Sequence, residues 1–273
     1  MVFFTFYQEK ELISVIIPVF NRQNFVKRAI ESVLEQSLKA DEIIVIDDGS
    51  DDDTPKVLKS FADKIKVITQ KNSGVSNARN SGIKTAKNSW ITFLDSDDIW
   101  HKDKLKKQMS FHNNNPEILF SHTNEEWVRD AKIVKQKKQH QKPKGFCFKE
   151  NLNFCKIAPS TVMIDKKLLE DVGYFDESLE VCEDFDLWLR VLRSYELGLV
   201  EEVLTTKFAG HKNQLSFKYN AMDRYRILAL LKHKDTLDAR EEILKKLAIL
   251  LKGAVKYQNL ELIDFCKKIE MDN

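Results

Sequence analysis

The sequence predicts an α/β protein with a mostly parallel central sheet flanked by helices and a helical extension at its C-terminus. Two observations carry that expectation. Apolar runs of strand length alternate with helical stretches through the first hundred residues, and the unusual chemistry of that half sits just after the strands. Buried strands alternating with helices wind into a parallel sheet covered on both faces. Such sheets bind ligands beyond the carboxyl ends of their strands.

The first strand is read from "ISVIIPVF" (13–20), a near-continuous apolar run. A helical stretch follows with Phe25, Ala29, Val33 and Leu34 on one face. "EIIVID" (42–47) is the second strand, and a helix opens at Thr54-Pro55, where proline sits at a first-turn position. "KVIT" (66–69), another helix and "WITFLD" (90–95) complete this half. From about residue 101 the rhythm changes. A Lys-rich helix (101–114) leads to a strand "EILFSHTN" (117–124), then to a polar hairpin-like region carrying Lys132, Lys135, Lys137, Lys138, Lys142 and Lys144. "STVMID" (160–165) reads as a strand and "EDFDLWLRVLRS" (183–194) as an amphipathic helix. The last fifty residues read as two or three helices, including "REEILKKLAILLKGAV". No Pro/Gly/Ser-rich linker divides the chain, so the halves 13–100 and 101–217 are expected to share one core, with 218–273 as the helical extension.

Charge is nearly balanced, 44 Lys and Arg against 42 Asp and Glu, which gives no electrostatic argument for nucleic acid as a partner. The four cysteines are scattered without a C-x-x-C pair, a pattern of free thiols rather than of a disulfide framework or zinc site. No apolar run reaches the ~18 residues of a membrane span. The opening "MVFFTFYQEKE" has neither a basic leader region nor a small-residue cleavage site, and the expectation is a cytoplasmic chain.

Three strand ends concentrate the chemistry: "PVFNR", "DDGSDDDT" and "DSDD". Alternation along a strand puts residues i and i+2 on one side, so Asp95 and Asp97 aim two carboxylates at one point. Clustered hard oxygens suit Mg2+ or Mn2+ completed by substrate phosphates and water. The structural alternative is that Asp97 or Asp98 caps the next helix. Capping accounts for Asp51, Asp52 and Asp53 ahead of Thr54-Pro55, but not for Asp47 and Asp48, which lie earlier. Asp48 could accept hydrogen bonds from a base or ribose. In "NSGVSNARNSGIKTA" (72–86), Gly74 and Gly82 allow close backbone approach, and Arg79 suits bidentate binding of phosphate unless it lies on a solvated helix face.

"SVIIPVFNR", "IIVIDDGSDDDT", "NSGVSNARNSGI", "ITFLDSDDIW", "GYFDESLEVCEDFDLWLRV" and "GHKNQLS", in this order and spacing, resemble family 2 glycosyltransferases of the GT-A fold over residues 12–217. The resemblance implies a nucleotide-sugar site. Pro18, Phe20 and Asn21 would line the base pocket, with Phe20 where the family often has Tyr, keeping the ring and losing the hydroxyl. Asp48 matches the base-contacting acid, and Ser50 shares its motif. Arg79 matches the residue that reaches the diphosphate. Asp95, Ser96 and Asp97 form the D-x-D step, with Asp97 the direct ligand of a divalent cation (Mn2+ or Mg2+) and Asp95 nearer ribose or diphosphate. Among Glu183, Asp184 and Asp186, the second acid of the E-D pair, Asp184, would be the general base, with Glu183 beside it on the substrate. Trp188, one turn beyond, would face the acceptor or else fill the core. His211 would approach the metal or diphosphate, although Phe208, Ala209 and Gly210 replace the basic residue many relatives carry before it.

The implied reaction is inverting transfer of a sugar from a nucleotide-diphosphate sugar, with UDP the expected nucleotide, to a hydroxyl of a glycan or lipid-linked acceptor. A nucleotide-sugar-binding protein without transferase activity is the first rival, opposed by the intact acidic set. A nucleotidyltransferase is the second, opposed by the missing glycine in "PVFNRQN". The Lys run 132–144 reads as a solvated hairpin or as attraction to anionic lipid or acidic glycan. The last helices would pack on the domain, and a lipid-linked acceptor would give peripheral membrane contact a purpose.

Overall fold

The computed structural model describes residues 12–208, 210 and 221–271. Strand β1 (Ile13–Val19) is buried at every position, as its unbroken apolar sequence requires. It lies between β2 (Glu42–Asp47) and β4 (Trp90–Phe93), both parallel to it, and β3 (Lys66–Thr69) runs parallel to β2 on the outside. Antiparallel β8 (Met163–Asp165) continues the sheet from β4, followed by β6 (Phe120–Arg129), β9 (Leu197–Phe208) and the two-residue β5 (Ile99–Trp100). β6 and β9 are parallel to each other, and β7 (Lys132–Val134) turns back on β6 as a hairpin.

Alternation along β1 feeds two cores. Ile16 points to the face covered by α3 (Val75–Thr85), while Val15 and Ile17 point to the face covered by α1 (Val26–Leu34). Helix α2 (Thr54–Lys59) opens with its proline in the first turn. Helix α4 (Lys104–Asn114) begins three residues later than the sequence suggests. The expected strand at 160–165 is split into a single helical turn, Pro159–Thr161, and β8. Neither β9 nor the helices α5 (Phe148–Asn151) and α6 (Lys166–Val172) are expected from the sequence. β9 pairs with β6 through register shifts around Asn124, and its "EEV" centre faces solvent, which breaks the alternation that would reveal it.

Helix α7 (Glu183–Leu192) is amphipathic as expected but buried on two sides. Leu187, Trp188 and Val191 join the sheet core, whereas Phe185 and Leu189 join a third cluster with Ile227, Ile243, Leu247 and Cys266. That third cluster is built with helices Asp223–Leu231, Leu237–Lys256 and Leu260–Met271. No helix among the described residues is long and apolar enough to cross a membrane.

The two glycines singled out in 72–86 act differently. Gly74 precedes α3 with φ +90, a backbone that L side chains rarely adopt. Gly82 lies where α3 crosses β1, and a Cβ there would stand 2.4 Å from Ile16 Cγ2. In an open helix Gly→Ala stabilises by about 1 kcal/mol. Here crowding reverses the sign, and Gly82→Ala is expected to cost about 1–3 kcal/mol in denaturant unfolding. A stabilised variant would mean that α3 does not pack this closely.

Candidate functional site

The strand ends of the parallel block meet on one edge. After β1, Asn21 takes a left-handed backbone (φ +52), which asparagine tolerates better than most residues. Its N–H donates to Ser50 Oγ at 3.0 Å, and its amide exchanges two hydrogen bonds with Asp51, at 2.7 and 2.9 Å. That clasp joins the loops after β1 and β2 and leaves the Phe20 ring 42% exposed on this edge, while Pro18 is buried within the strand. Asp48 accepts from the N–H groups of Ser73 and Gly74 at 2.9 Å each and from Gln70 Nε2 at 2.7 Å. It shapes the loop leading into α3.

Arg79 is the centre of the site. Its guanidinium is buried, donates to Asp95 Oδ1 at 2.7 Å and Glu183 Oε1 at 2.6 Å, and lies 5.2 Å from the centroid of the Phe175 ring. Burial pulls its pKa down, but Asp95 and Glu183 outweigh that and hold it above the ordinary arginine range. Arg79 therefore joins the D-x-D strand end to the E-D helix start, instead of lying on a solvated face.

The three aspartates after β4 receive three treatments. Burial raises the Asp95 carboxyl, yet Arg79 and Lys207 together bring it below the usual value. Asp98 is buried and accepts from Ser160 Oγ at 2.7 Å; burial holds it well above the carboxylate range, against the pull of Lys207. Ser160 Oγ in turn accepts from the Asp95 N–H at 3.0 Å, so one hydroxyl links both residues. Asp97 stays half-buried, its carbonyl held by Arg28 at 2.6 Å, and Ser96 beside it is buried. Side chains thus offset much of the charge at this strand end.

Asp184 is half-buried next to Glu183. Its Oδ1 accepts from the Phe185 N–H at 2.7 Å, and its Oδ2 lies 3.6 Å from the Cys155 thiol. Burial raises its pKa against Arg79 and Lys207. Burial and Asp184 push Glu183 up to about 7, against Arg79. Asp186 points elsewhere: it is fully buried and salt-bridged to Arg190 and Lys232. A cavity of about 150 Å3 is lined by Asp184, Lys207, Glu125, Lys142 and the rings of Trp127, His140 and Phe154.

The structure brings together Asp95, Arg79, Glu183 and Asp184, with Asp97 two residues beyond Asp95 beside Arg28. It does not bring Trp188 to the acceptor: its ring is 2% exposed, stacks on Phe120 at 5.0 Å and donates to the Ile157 carbonyl, so it is a core residue. His211 lies outside the described residues. Sequence reasoning missed Lys207 and Ser160. Lys207 stands among Glu125, Asp98, Asp95 and Asp184, and these carboxylates hold it protonated in spite of burial. Its only sequence signal is a lone lysine in a strand whose alternation is broken.

No group of three His, Cys, Asp or Glu side chains able to hold a metal occurs among the described residues. A hard cation held by one or two carboxylates and otherwise by diphosphate and water does not need one. The half-buried Asp97, with Asp95 two residues before it, is a donor set of that kind.

Comparison with known proteins agrees with this geometry. The family model described as Glycosyl transferase family 2 matches residues 14–173. An uncharacterized glycosyltransferase of Rickettsia prowazekii, RP339, is 30% identical over 94% of this chain and 80% of its own. The Escherichia coli UDP-Glc:alpha-D-GlcNAc-diphosphoundecaprenol beta-1,3-glucosyltransferase WfaP is 34% identical over 76% of this chain and 80% of its own. Among solved structures, S. aureus TarS 1–349 in complex with UDP-GlcNAc superposes with a TM-score of 0.66 at 18% identity, covering 95% of this chain and 90% of that one. The sheet order, the strand-end carboxylates and the family match lead to one conclusion: the chain is a GT-A glycosyltransferase of family 2.

Proposed function

We propose that the chain transfers a sugar from a UDP-sugar to a hydroxyl of a lipid-linked or glycan acceptor, inverting the anomeric centre, with Asp184 as general base. The observation that carries this reading is the Arg79 bridge, which fixes the E-D pair beside the D-x-D strand end, with Asp184 at a cavity. The donor class is supported by WfaP, whose name specifies UDP-Glc, and by TarS, which is described with UDP-GlcNAc. The lipid-linked acceptor class is supported by WfaP, whose name specifies alpha-D-GlcNAc-diphosphoundecaprenol.

In the proposed reaction Asp184 takes the proton of the acceptor hydroxyl as its oxygen attacks the anomeric carbon. The bond from that carbon to the diphosphate breaks, and its electron pair leaves with the nucleoside diphosphate. A raised carboxyl pKa suits a base, because a stronger base draws the proton further in the transition state. Phe20 offers a ring face to the base, and Lys207 adds positive charge near the leaving group. Asp97 and Asp95 would hold a divalent cation, Mn2+ or Mg2+, which supplies further positive charge to the diphosphate when bound. Arg79 positions Asp95 and Glu183 from within the protein.

Calorimetric titration with UDP, GDP and dTDP, with and without Mn2+, tests the donor site. UDP is expected to bind, more tightly with Mn2+, and Asp97→Ala should abolish the metal-dependent gain. Absence of any nucleotide binding would sink the reading. Asp184→Asn is expected to retain UDP binding and to lower kcat by roughly 10²–10⁴-fold, the usual contribution of a general base. The base must be ionised, and its pKa is raised from 3.8, so kcat/KM should fall with decreasing pH through a midpoint above that value. Full activity in the variant would remove Asp184 from the chemistry.

A further inference from the structure

The lysine-rich hairpin has no part in the proposed reaction. Residues 129–144 carry seven Lys and Arg against one acid, Asp130, and so hold +6 of a chain total of +2. The rest of the protein is therefore net negative, at −4. Positive charge here is local, not an overall excess, and it gives the molecule a direction in an external field. Arg129, Lys132, Lys135, Lys137, Lys138 and Lys144 are exposed. Lys144 meets Glu201 at 3.0 Å, but Lys132, Lys135, Lys137 and Lys138 make no ion pair among the described residues.

The fold presents these cations on a fixed ribbon. Asp130 and Ala131, with φ +50 and +59, form a two-residue left-handed turn that matches the twist of β6 and β7. Gln136 Nε2 donates to the Glu125 carbonyl at 2.9 Å, and the Lys142 ammonium meets Glu125 Oε2 at 3.0 Å, so the returning chain is tied back to β6. Register sets Val134 opposite Trp127 and Ile133 opposite Val128, which puts Lys132 and Val134 on one face and Ile133 on the other. Ile133 is 71% exposed. A single exposed isoleucine is ordinary. An isoleucine between unpaired lysines on an edge ribbon suits a lipid interface, where the apolar group passes the headgroups and the lysine stems reach back to the phosphates. A soluble polyanion would use the lysines and leave the isoleucine in water.

We propose that the β6–β7 hairpin docks the protein on an anionic lipid bilayer, with Lys132, Lys135, Lys137 and Lys138 against the headgroup phosphates and Ile133 at the upper acyl carbons. Each cation close to such a surface strengthens binding about fivefold. The net negative remainder is repelled, so the same field that attracts the hairpin turns it toward the bilayer. Trp127, on β6 within the hairpin, and Lys142 line the cavity that holds Asp184, so docking brings the catalytic edge to the membrane. The proposal rests on the glycosyltransferase reading for its purpose, but the docking itself needs neither nucleotide nor metal.

Co-sedimentation of the full chain with vesicles tests the proposal. Vesicles of phosphatidylcholine alone are compared with vesicles that also contain phosphatidylglycerol. Binding is expected to the anionic vesicles only, and to weaken as salt rises. Lys132→Ala, Lys135→Ala and Lys137→Ala together should lower it about a hundredfold, at roughly fivefold per cation. Lys59→Ala, Lys64→Ala and Lys66→Ala together remove equal charge from the exposed edge between α2 and β3, at the far end of the sheet path from β6, and should have little effect. Ile133→Ser keeps the charge and should weaken binding several-fold. UDP affinity and thermal unfolding are read on each protein, so a lost docking surface is told apart from a lost fold or a failed donor site. Equal losses in the two triple variants would overturn the proposal, and so would binding that survives without the hairpin lysines or ignores the lipid charge. Ile133→Ser binding like the parent would overturn it too, and tight binding of soluble polygalacturonate would then mark the hairpin as a surface for acidic glycan.

Discussion

The rest of the site depends on the buried fork of Arg79. One planar guanidinium holds a carboxylate from the end of β4 and another from the start of α7, and α3, which carries it, sits close enough only because Gly82 lacks a side chain. Asn80 secures the same junction from the next position, donating to the Phe175 carbonyl at 2.9 Å and accepting from its N–H at 3.0 Å. A buried ion triad of this kind is weak evidence for stability, since desolvation offsets much of its attraction. Its effect is geometric. It fixes the distance between the two acidic motifs, and a lysine, with one point charge in place of a fork, could not hold both partners in the same way.

Why the strand end carries so many carboxylates follows from how unequally they are treated. Asp95 is kept ionised by Arg79, and Asp98 is driven toward its neutral form by burial and tied to Ser160. Asp97 stays at the half-buried edge. Environment, more than residue type, separates their roles. Lys207 extends the same logic across the site, because acids from β6, from the start of α7 and from the turn after β4 act on it at once. This strand end can therefore be largely balanced by protein cations before substrate arrives, and a bound diphosphate would find Lys207 already charged.

Much of the parallel block was legible in the sequence, because strands buried on both faces leave unbroken apolar runs and their helices start at recognisable residues such as Thr54-Pro55. The strand-end acids were legible for the same reason: charge is conspicuous after such runs. β9 was not, since a bulged pairing erased its period, and Lys207 went unnoticed with it. Arg79 was recognised as unusual, but its partners were not, because Glu183 lies in a distant helix and nothing in the local pattern announces the pairing. Trp188 shows the opposite failure. Helical spacing placed it one turn from Asp184, but α7 is covered on two sides, and a large ring on such a helix fills the core.

That double burial explains how a helix start can serve as a precise site. Cys182, just before Glu183, has a left-handed backbone (φ +64), a conformation that costs energy for a residue with a Cβ. It persists because the residues on both sides are fixed: Val181 and Phe185 pack against the C-terminal helices, and Leu187 and Trp188 pack against the sheet. The turn at Cys182 then directs Glu183 to Arg79 and Asp184 to the cavity. On this argument the C-terminal helices contribute to the site without touching it. They supply the second wall that holds α7 in place, and a loosened wall would let the strained turn relax and carry Asp184 away from the edge where the strand ends converge.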